Sequence, residues 1–177
     1  MMKKCLRASA FKMPAAVALA MAVFSTSVLL AAGPSVREEE GKHFNKDGEP
    51  TYNVQEDGTV DWYTYSGFRR YHSECHVCHG PDGLGSTYAP AITDSLKTMS
   101  YADYLDVVVN GRKIERADKT SAMPAFGDNQ NVMCFVDDIF VYLKARADGA
   151  IPRGRPQKRA DKPEDAIQYE KSCFGRD

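Results

Sequence analysis

Cys75-His76-Val77-Cys78-His79 is the stretch on which the reading of this chain turns. Two cysteines three residues apart, followed directly by a histidine, form the attachment signature of a c-type haem. Both thiols can reach one edge of a porphyrin and form thioethers with its vinyl groups. His79 is then carried under the iron as the proximal ligand, a role that suits neutral imidazole. The same residues have two other uses. A zinc half-site would need two further ligands, which Cys134 and Cys173 could supply. A redox dithiol would need a βαβ context, and the surrounding pattern has none.

A haem iron has a sixth position. Met99, Met123, Met133 and the remaining histidines are the candidates. Met123 is followed by Pro124-Ala125-Phe126-Gly127 in an expected loop, where a stiffened segment can bring a thioether across the open haem face; His/Met ligation is a standard cytochrome arrangement. Met133 falls on the apolar side of a helix and reads as core. Met99 precedes a helix cap and could line the haem pocket. His76 is expected to point outward, and His43 and His72 read as solvated.

The chain around the motif predicts helices. Residues 61–74 place Tyr65, Phe68 and Tyr71 on one face, with Gly67 kept small for close packing. Residues 80–98 read as a loop. Ser100, with Asp103 three residues on, caps a helix whose stripe is Leu105, Val108 and Val109 and whose stop is Gly111. Residues 112–127 read as a second loop. Asp128 is the expected cap of the longest helix, 129–147, with the stripe Val132, Phe135, Val136, Ile139, Tyr142 and Leu143, closed by Asp148-Gly149. One or two helical turns are expected at 164–172.

The flanks differ in character. Residues 1–12 carry Lys3, Lys4, Arg7 and Lys12 without an acid, and 13–32 are apolar or small, the pattern of a secretory signal peptide. A membrane anchor is the competing reading, but Pro14 and the many alanines make the run marginal for a bilayer span. Four of the 23 basic residues leave with that segment, so 19 face 24 acidic ones and the net charge is near −5. Such a surface argues against nucleic acid as a partner. Residues 33–60 form an N-terminal arm with a possible type I′ hairpin turn at Asp57-Gly58. Residues 61–148 are the haem domain, and 149–177 a C-terminal extension. Its basic run, Arg153, Arg155, Lys158, Arg159 and Lys162, reads as a solvated tail or as a contact for an acidic partner.

Residues 61–147 resemble a class I cytochrome c. The marks are the Cys75–His79 motif, the Gly80-Pro81-Asp82-Gly83 turn, Pro90, Met123-Pro124-Ala125-Phe126 and Tyr142-Leu143. The resemblance implies an all-α fold with long haem-wrapping loops and one covalent haem c. It implies that the first and last helices cross near the haem, with Gly67 or Phe68 against Tyr142 or Leu143. It also implies that the Pro90 carbonyl accepts a hydrogen bond from the proximal imidazole. Cys134 and Cys173 lie outside the class I pattern. With four cysteines, two of them for haem, the chain is similar to the c-type cytochromes associated with methanol metabolism. That group implies a pyrroloquinoline quinone-dependent alcohol dehydrogenase as electron donor. The signal-peptide pattern predicts a periplasmic protein with no stable membrane insertion after cleavage, and another cytochrome or a terminal oxidase is the expected acceptor. Read from the residues, Cys134 and Cys173 pair as a disulfide in an oxidising compartment, tethering the extension to the haem domain; free thiols are the alternative. A peroxidase-like or ligand-binding cytochrome is the competing function if Met123 does not bind iron, and a permanent haem subunit of a dehydrogenase complex is another.

Overall fold

The computed structural model describes residues 35–115 and 120–175. The expected signal peptide, residues 1–32, lies outside them. In chain order the elements are β1 (Arg37–Glu39), β2 (Lys42–Phe44), β3 (Pro50–Thr51), α1 (Trp62–Glu74), α2 (His76–His79), a 3-10 turn at Pro81–Gly83, α3 (Ile92–Ser95), α4 (Tyr101–Asn110), β4 (Arg112–Glu115), β5 (Thr120–Met123), α5 (Gln130–Met133), α6 (Val136–Ala147) and α7 (Glu164–Cys173). The helices build the core, as expected of an all-α domain. Two small antiparallel sheets, β1-β2-β3 and β4-β5, are added to it.

The frame is the crossing of α1 and α6. Asp61 starts α1 by accepting hydrogen bonds from the Thr64 N–H (2.8 Å) and hydroxyl (2.6 Å), and it also accepts the Asn53 N–H (2.8 Å). An N-cap carboxylate satisfies donors that the first turn would otherwise leave open. Trp62, Tyr63, Tyr65 and Tyr71 of α1 are buried, as is most of α6 from Val136 to Ala145. Where the helices meet, a Cβ on Gly67 would stand 1.8 Å from the Asp138 carbonyl oxygen and 2.8 Å from the Tyr142 Cβ. The Phe68 ring meets the edge of Tyr142 at 5.6 Å. The crossing residues are thus those the resemblance implied. α6 ends as expected at Asp148-Gly149: Gly149 N–H bonds the Arg146 carbonyl and Ala150 N–H the Ala145 carbonyl, a Schellman closure.

Several local expectations are corrected. The helix expected over 129–147 is two helices, because Phe135 (φ −135°) interrupts it between α5 and α6. Its cap is Asn129, whose side chain accepts the Asn131 N–H, and Asp128 plays no such part. Phe135 is buried beneath the Arg70 guanidinium, 3.5 Å from the ring centre, and beside Phe174. In α4 the buried positions are Tyr104 and Val108; Leu105 and Val109 are half-buried. The expected loop 80–98 contains α3, and the expected loop 112–127 begins as the β4-β5 hairpin. At 55–58 the turn is not type I′. Gly58 alone has positive φ (+82°), and type I′ needs it at both central residues. Glu40-Gly41, with φ of 54° and 75°, has that pattern instead, between β1 and β2.

The basic run is not a free tail. Val60 N–H bonds the Lys158 carbonyl and Ala160 N–H bonds the Val60 carbonyl, so 158–160 lie alongside the entry to α1. The cationic groups are engaged within the chain: Arg153 with Asp82, Arg155 with the Tyr65 hydroxyl, Lys158 with Asp57, Arg159 over Trp62 and Tyr65, and Lys162 with Glu170. α7 follows for ten residues, longer than expected, and Cys173 is bridged to Cys134 with Cα atoms 6.0 Å apart. The main anchor is Asp82, buried at φ +59°. It accepts the Gly154 N–H (2.9 Å), Arg153 Nε (3.2 Å) and the Tyr142 hydroxyl (3.4 Å). Burial by itself would raise its pKa, but the Gly154 N–H and the Arg153 guanidinium outweigh this and hold it below the ordinary carboxylate value.

Two outcomes test this frame. Gly67→Ala overpacks the crossing and is expected to cost about 1–3 kcal/mol or more, read as a lower denaturation midpoint of the holoprotein; an unchanged midpoint refutes the close approach. Asp82→Ala leaves the Gly154 N–H without its partner and is expected to cost about 1–3 kcal/mol at neutral pH. Because the folded pKa is depressed, that stabilisation is complete above the unfolded carboxylate pKa of about 3.9 and is lost as pH falls through the lower folded value. The stability difference between parent and variant should shrink in acid. A difference that stays constant down to pH 2 argues that the Asp82 charge contributes nothing.

Candidate haem site

α1 runs almost directly into the motif. Cys75 N–H still bonds the Tyr71 carbonyl (2.9 Å), and His79 N–H then bonds the Cys75 carbonyl (3.0 Å). One more turn, α2, therefore carries Cys75, Cys78 and His79 on a helical spacing, which sets the two thiols on neighbouring positions of one face. Cys75 is half-buried against the core, and Cys78 is exposed. Burial, with the Glu74 carboxylate and the Cys78 thiol adding to it, pushes the Cys75 thiol up to about 12.

His79 is oriented by the loop that follows it. Its Nδ1 lies 3.0 Å from the Pro90 carbonyl oxygen. A carbonyl can only accept, so this contact places the ring proton on Nδ1 and leaves the Nε2 lone pair for a metal. Glycines make the approach possible. A Cβ on Gly80 (φ +71°) would fall 2.2 Å from the Gly85 carbonyl oxygen, and one on Gly85 (φ +83°) would fall 2.7 Å from Ala91 N. Gly85 N–H bonds the His79 carbonyl at 2.7 Å, and the Ser86 hydroxyl bonds the Cys78 carbonyl. From beneath, the buried Tyr71 hydroxyl donates to the Gly80 carbonyl at 2.5 Å. The loop is thus folded back onto the motif, with the Pro90 carbonyl aimed at the imidazole.

Met123 ends β5, opposite Arg112 in the hairpin register, and is half-buried against the core. Met99 and Met133 are also half-buried. Met99 lines a surface hollow of about 650 Å³ with Val107, Gly111 and Arg112. The histidines depart from expectation. His72 is not freely solvated: its Nδ1 donates to the Phe68 carbonyl (2.8 Å) and its ring packs 4.3 Å from Phe68. His76 sets its ring edge-to-face with His72 at 5.2 Å, and His43 pairs with the Ser35 hydroxyl.

These residues fit a covalent haem. Cys75 and Cys78 are the free thiols among the described residues, and an imidazole in the metal-binding tautomer stands next to them. Val77, Leu84 and Tyr88 are 81%, 43% and 76% exposed, and all three lie on the motif or the loop after it. Sequence reasoning missed Tyr71, Ser86 and the anchoring role of Asp82. The one signal available for Asp82 was its place between Pro81 and Gly83 in a turn, where aspartate tolerates positive φ.

Comparison with known proteins agrees with this chemistry. The family model described as cytochrome c oxidase, cbb3-type, subunit III matches residues 64–143. Cytochrome c-553I of Paracoccus denitrificans is 51% identical over 136 residues, 77% of this chain and 60% of that protein, so the chain spans about three fifths of that relative's length. Cytochrome c-555 of Methylococcus capsulatus is 39% identical over 100 residues, 56% of this chain and 75% of that protein. The crystal structure of the c-type cytochrome XoxG from Methylobacterium extorquens AM1 is similar with a TM-score of 0.72 and 56% identity, covering 78% of this chain and 85% of that one. With thiols, imidazole and fold in agreement, the chain belongs to the c-type cytochromes and binds haem c covalently.

Proposed function

We propose that this chain is a periplasmic single-electron carrier, with Cys75 and Cys78 joined to the haem by thioethers and His79 and Met123 as the axial ligands. The observation that carries the reading is the 3.0 Å contact between His79 Nδ1 and the Pro90 carbonyl, which fixes ring orientation and tautomer. Bound haem supplies a one-electron iron couple. The residues tune it in opposite senses: the Met123 thioether favours the reduced state and raises the potential, while the Pro90 carbonyl makes the His79 imidazole more basic and favours the oxidised state. Haem held by both His79 and Met123 would leave no ready place for peroxide or dioxygen, which would suit the site to electron transfer. Val77, Leu84 and Tyr88, exposed on the motif and the loop after it, offer apolar surface for brief docking of a redox partner.

The electron donor proposed is a pyrroloquinoline quinone-dependent methanol or alcohol dehydrogenase, and the acceptor another cytochrome or a terminal oxidase. The four-cysteine resemblance supports this, as do relatives from Methylobacterium and Methylococcus. The Cys134–Cys173 bridge and the signal-like residues 1–32 support export to the periplasm. Among the described residues no helix is long and apolar enough to cross a membrane.

Mass spectrometry of the exported protein should find one haem mass on the peptide holding Cys75 and Cys78. Met123→His should keep that mass and lower the potential by on the order of 0.1 V, with loss of the sulfur-to-iron charge-transfer band; an unchanged band and potential would reject Met123 as ligand. Stopped-flow mixing with quinoprotein dehydrogenases across salt concentrations tests the donor.

A further inference from the structure

The segment that presents Met123 is held against the carboxyl end of α4 from three directions. Before Met123, the strands pair Arg112 with Met123 and Lys113 with Ala122. After it, the Phe126 N–H bonds the Val108 carbonyl (2.9 Å) and the Gly127 N–H bonds the Val109 carbonyl (3.1 Å). These are last-turn carbonyls of a helix, which lack partners within the helix. Between the two attachments lies Gly111, the residue that ends α4. A Cβ there would stand 2.6 Å from the Met123 carbonyl oxygen, 2.8 Å from Ala125 N and 2.9 Å from the Pro124 carbonyl carbon. All three are backbone atoms, which cannot swing aside as a side chain can. The Gly111 backbone, at φ 73° and ψ −177°, is also in a region open essentially to glycine alone.

We infer that Gly111 is the positioning residue for the Met123 ligand: the chain 123–125 rests on its bare Cα, and that contact sets where the thioether stands. The inference rests on the proposal that Met123 binds the iron. Gly127 closes the clasp from the far side, since a Cβ there would come within 3.2 Å of the Val109 carbonyl oxygen and its Cγ1. A methyl group at 111 has to lift the Met123–Ala125 backbone before it can fit. The bond between iron and sulfur is the element that yields, because the strand pairing and the helix carbonyls hold the segment on either side. The clasp would then govern how often the sixth position opens to outside ligands.

The experiment compares ferric holoprotein of the parent, Gly111→Ala, Gly127→Ala, Met123→Ala and Gly149→Ala. Gly149 is the matched control: it follows α6 with φ +74°, and a Cβ there meets nothing within 4 Å. Two quantities are read, the sulfur-to-iron charge-transfer band and the apparent affinity for imidazole. Imidazole binds only the fraction with the sixth position open, so its apparent affinity rises by the factor by which that fraction rises. In Gly111→Ala the band should weaken or vanish and imidazole should bind at least about tenfold more tightly. Gly127→Ala should move both readouts the same way by less, and Gly149→Ala should match the parent even if its melting point falls. A parent-like band and imidazole affinity in both Gly111→Ala and Gly127→Ala, with the band abolished in Met123→Ala, overturns the inference and leaves the ligand assignment standing. A band that survives in Met123→Ala removes the assignment and the inference together. If Gly111→Ala yields no folded protein, Gly127→Ala decides by the same criteria.

Discussion

Every feature of the site is referred to the close approach of α1 and α6 at Gly67. The helix that ends in the haem motif is the one whose backbone lies against the Asp138 carbonyl, so the position of Cys75 follows from the position of that crossing. Tyr71 and Tyr142, both fully buried, stand one turn further along and carry the constraint toward the loop. Tyr71 holds the Gly80 carbonyl, and Tyr142 reaches Asp82. The crossing is not wholly apolar. Burial pushes the Asp138 carboxyl up to about 7, against the hydrogen bond from Ser66 and the charge of Lys42. A buried acid with a raised pKa costs folding free energy as pH rises from the unfolded value toward 7. The close helix contact is therefore kept in spite of a charge at its edge.

From that frame the proximal side is assembled by backbone geometry more than by side-chain chemistry. His79 is aimed by a carbonyl, and the carbonyl is brought in by two glycines at positive φ, Gly80 and Gly85. The Met123 segment is treated similarly, by helix carbonyls and by Gly111. Main-chain groups hold position without the rotamer freedom that side chains lose on ordering. Ligands fixed this way would change little between two charge states, as the proposed one-electron role requires.

The legible parts of the sequence were those with short-range chemical signatures. The motif residues, the Ser100 cap, the Asp148-Gly149 stop and the reduced residue at Gly67 are each readable within a few positions of themselves. The Cys134–Cys173 pair followed from cysteine counting, with the N-terminal segment read as a signal for export. What could not be read depends on contacts distant in sequence. Phe135 breaks a helix whose apolar spacing is continuous through the break, because Arg70 and Phe174 hold its ring elsewhere. The basic run has the composition of a solvated tail, yet Arg153, Arg155 and Lys158 find partners about 70 to 100 residues away, in Asp82, Tyr65 and Asp57. The β4-β5 hairpin contains no Asn-Gly or Asp-Gly signal, so its strands could not be told from a loop.

The extension's role follows from where its contacts fall. Those described include contacts with Lys42, Asp57, Val60, Trp62, Tyr65, Asp82, Gln130, Cys134, Phe135 and Arg146. They brace the entry to α1, the start of the last helices and the turn after the motif. The bridge closes a separation of 39 residues, and the chain-entropy model credits such a loop with about 4 kcal/mol drawn from the unfolded state. A crosslink acting on the unfolded chain stabilises the fold without altering the distances at the ligands. The extension thus adds stability through the frame.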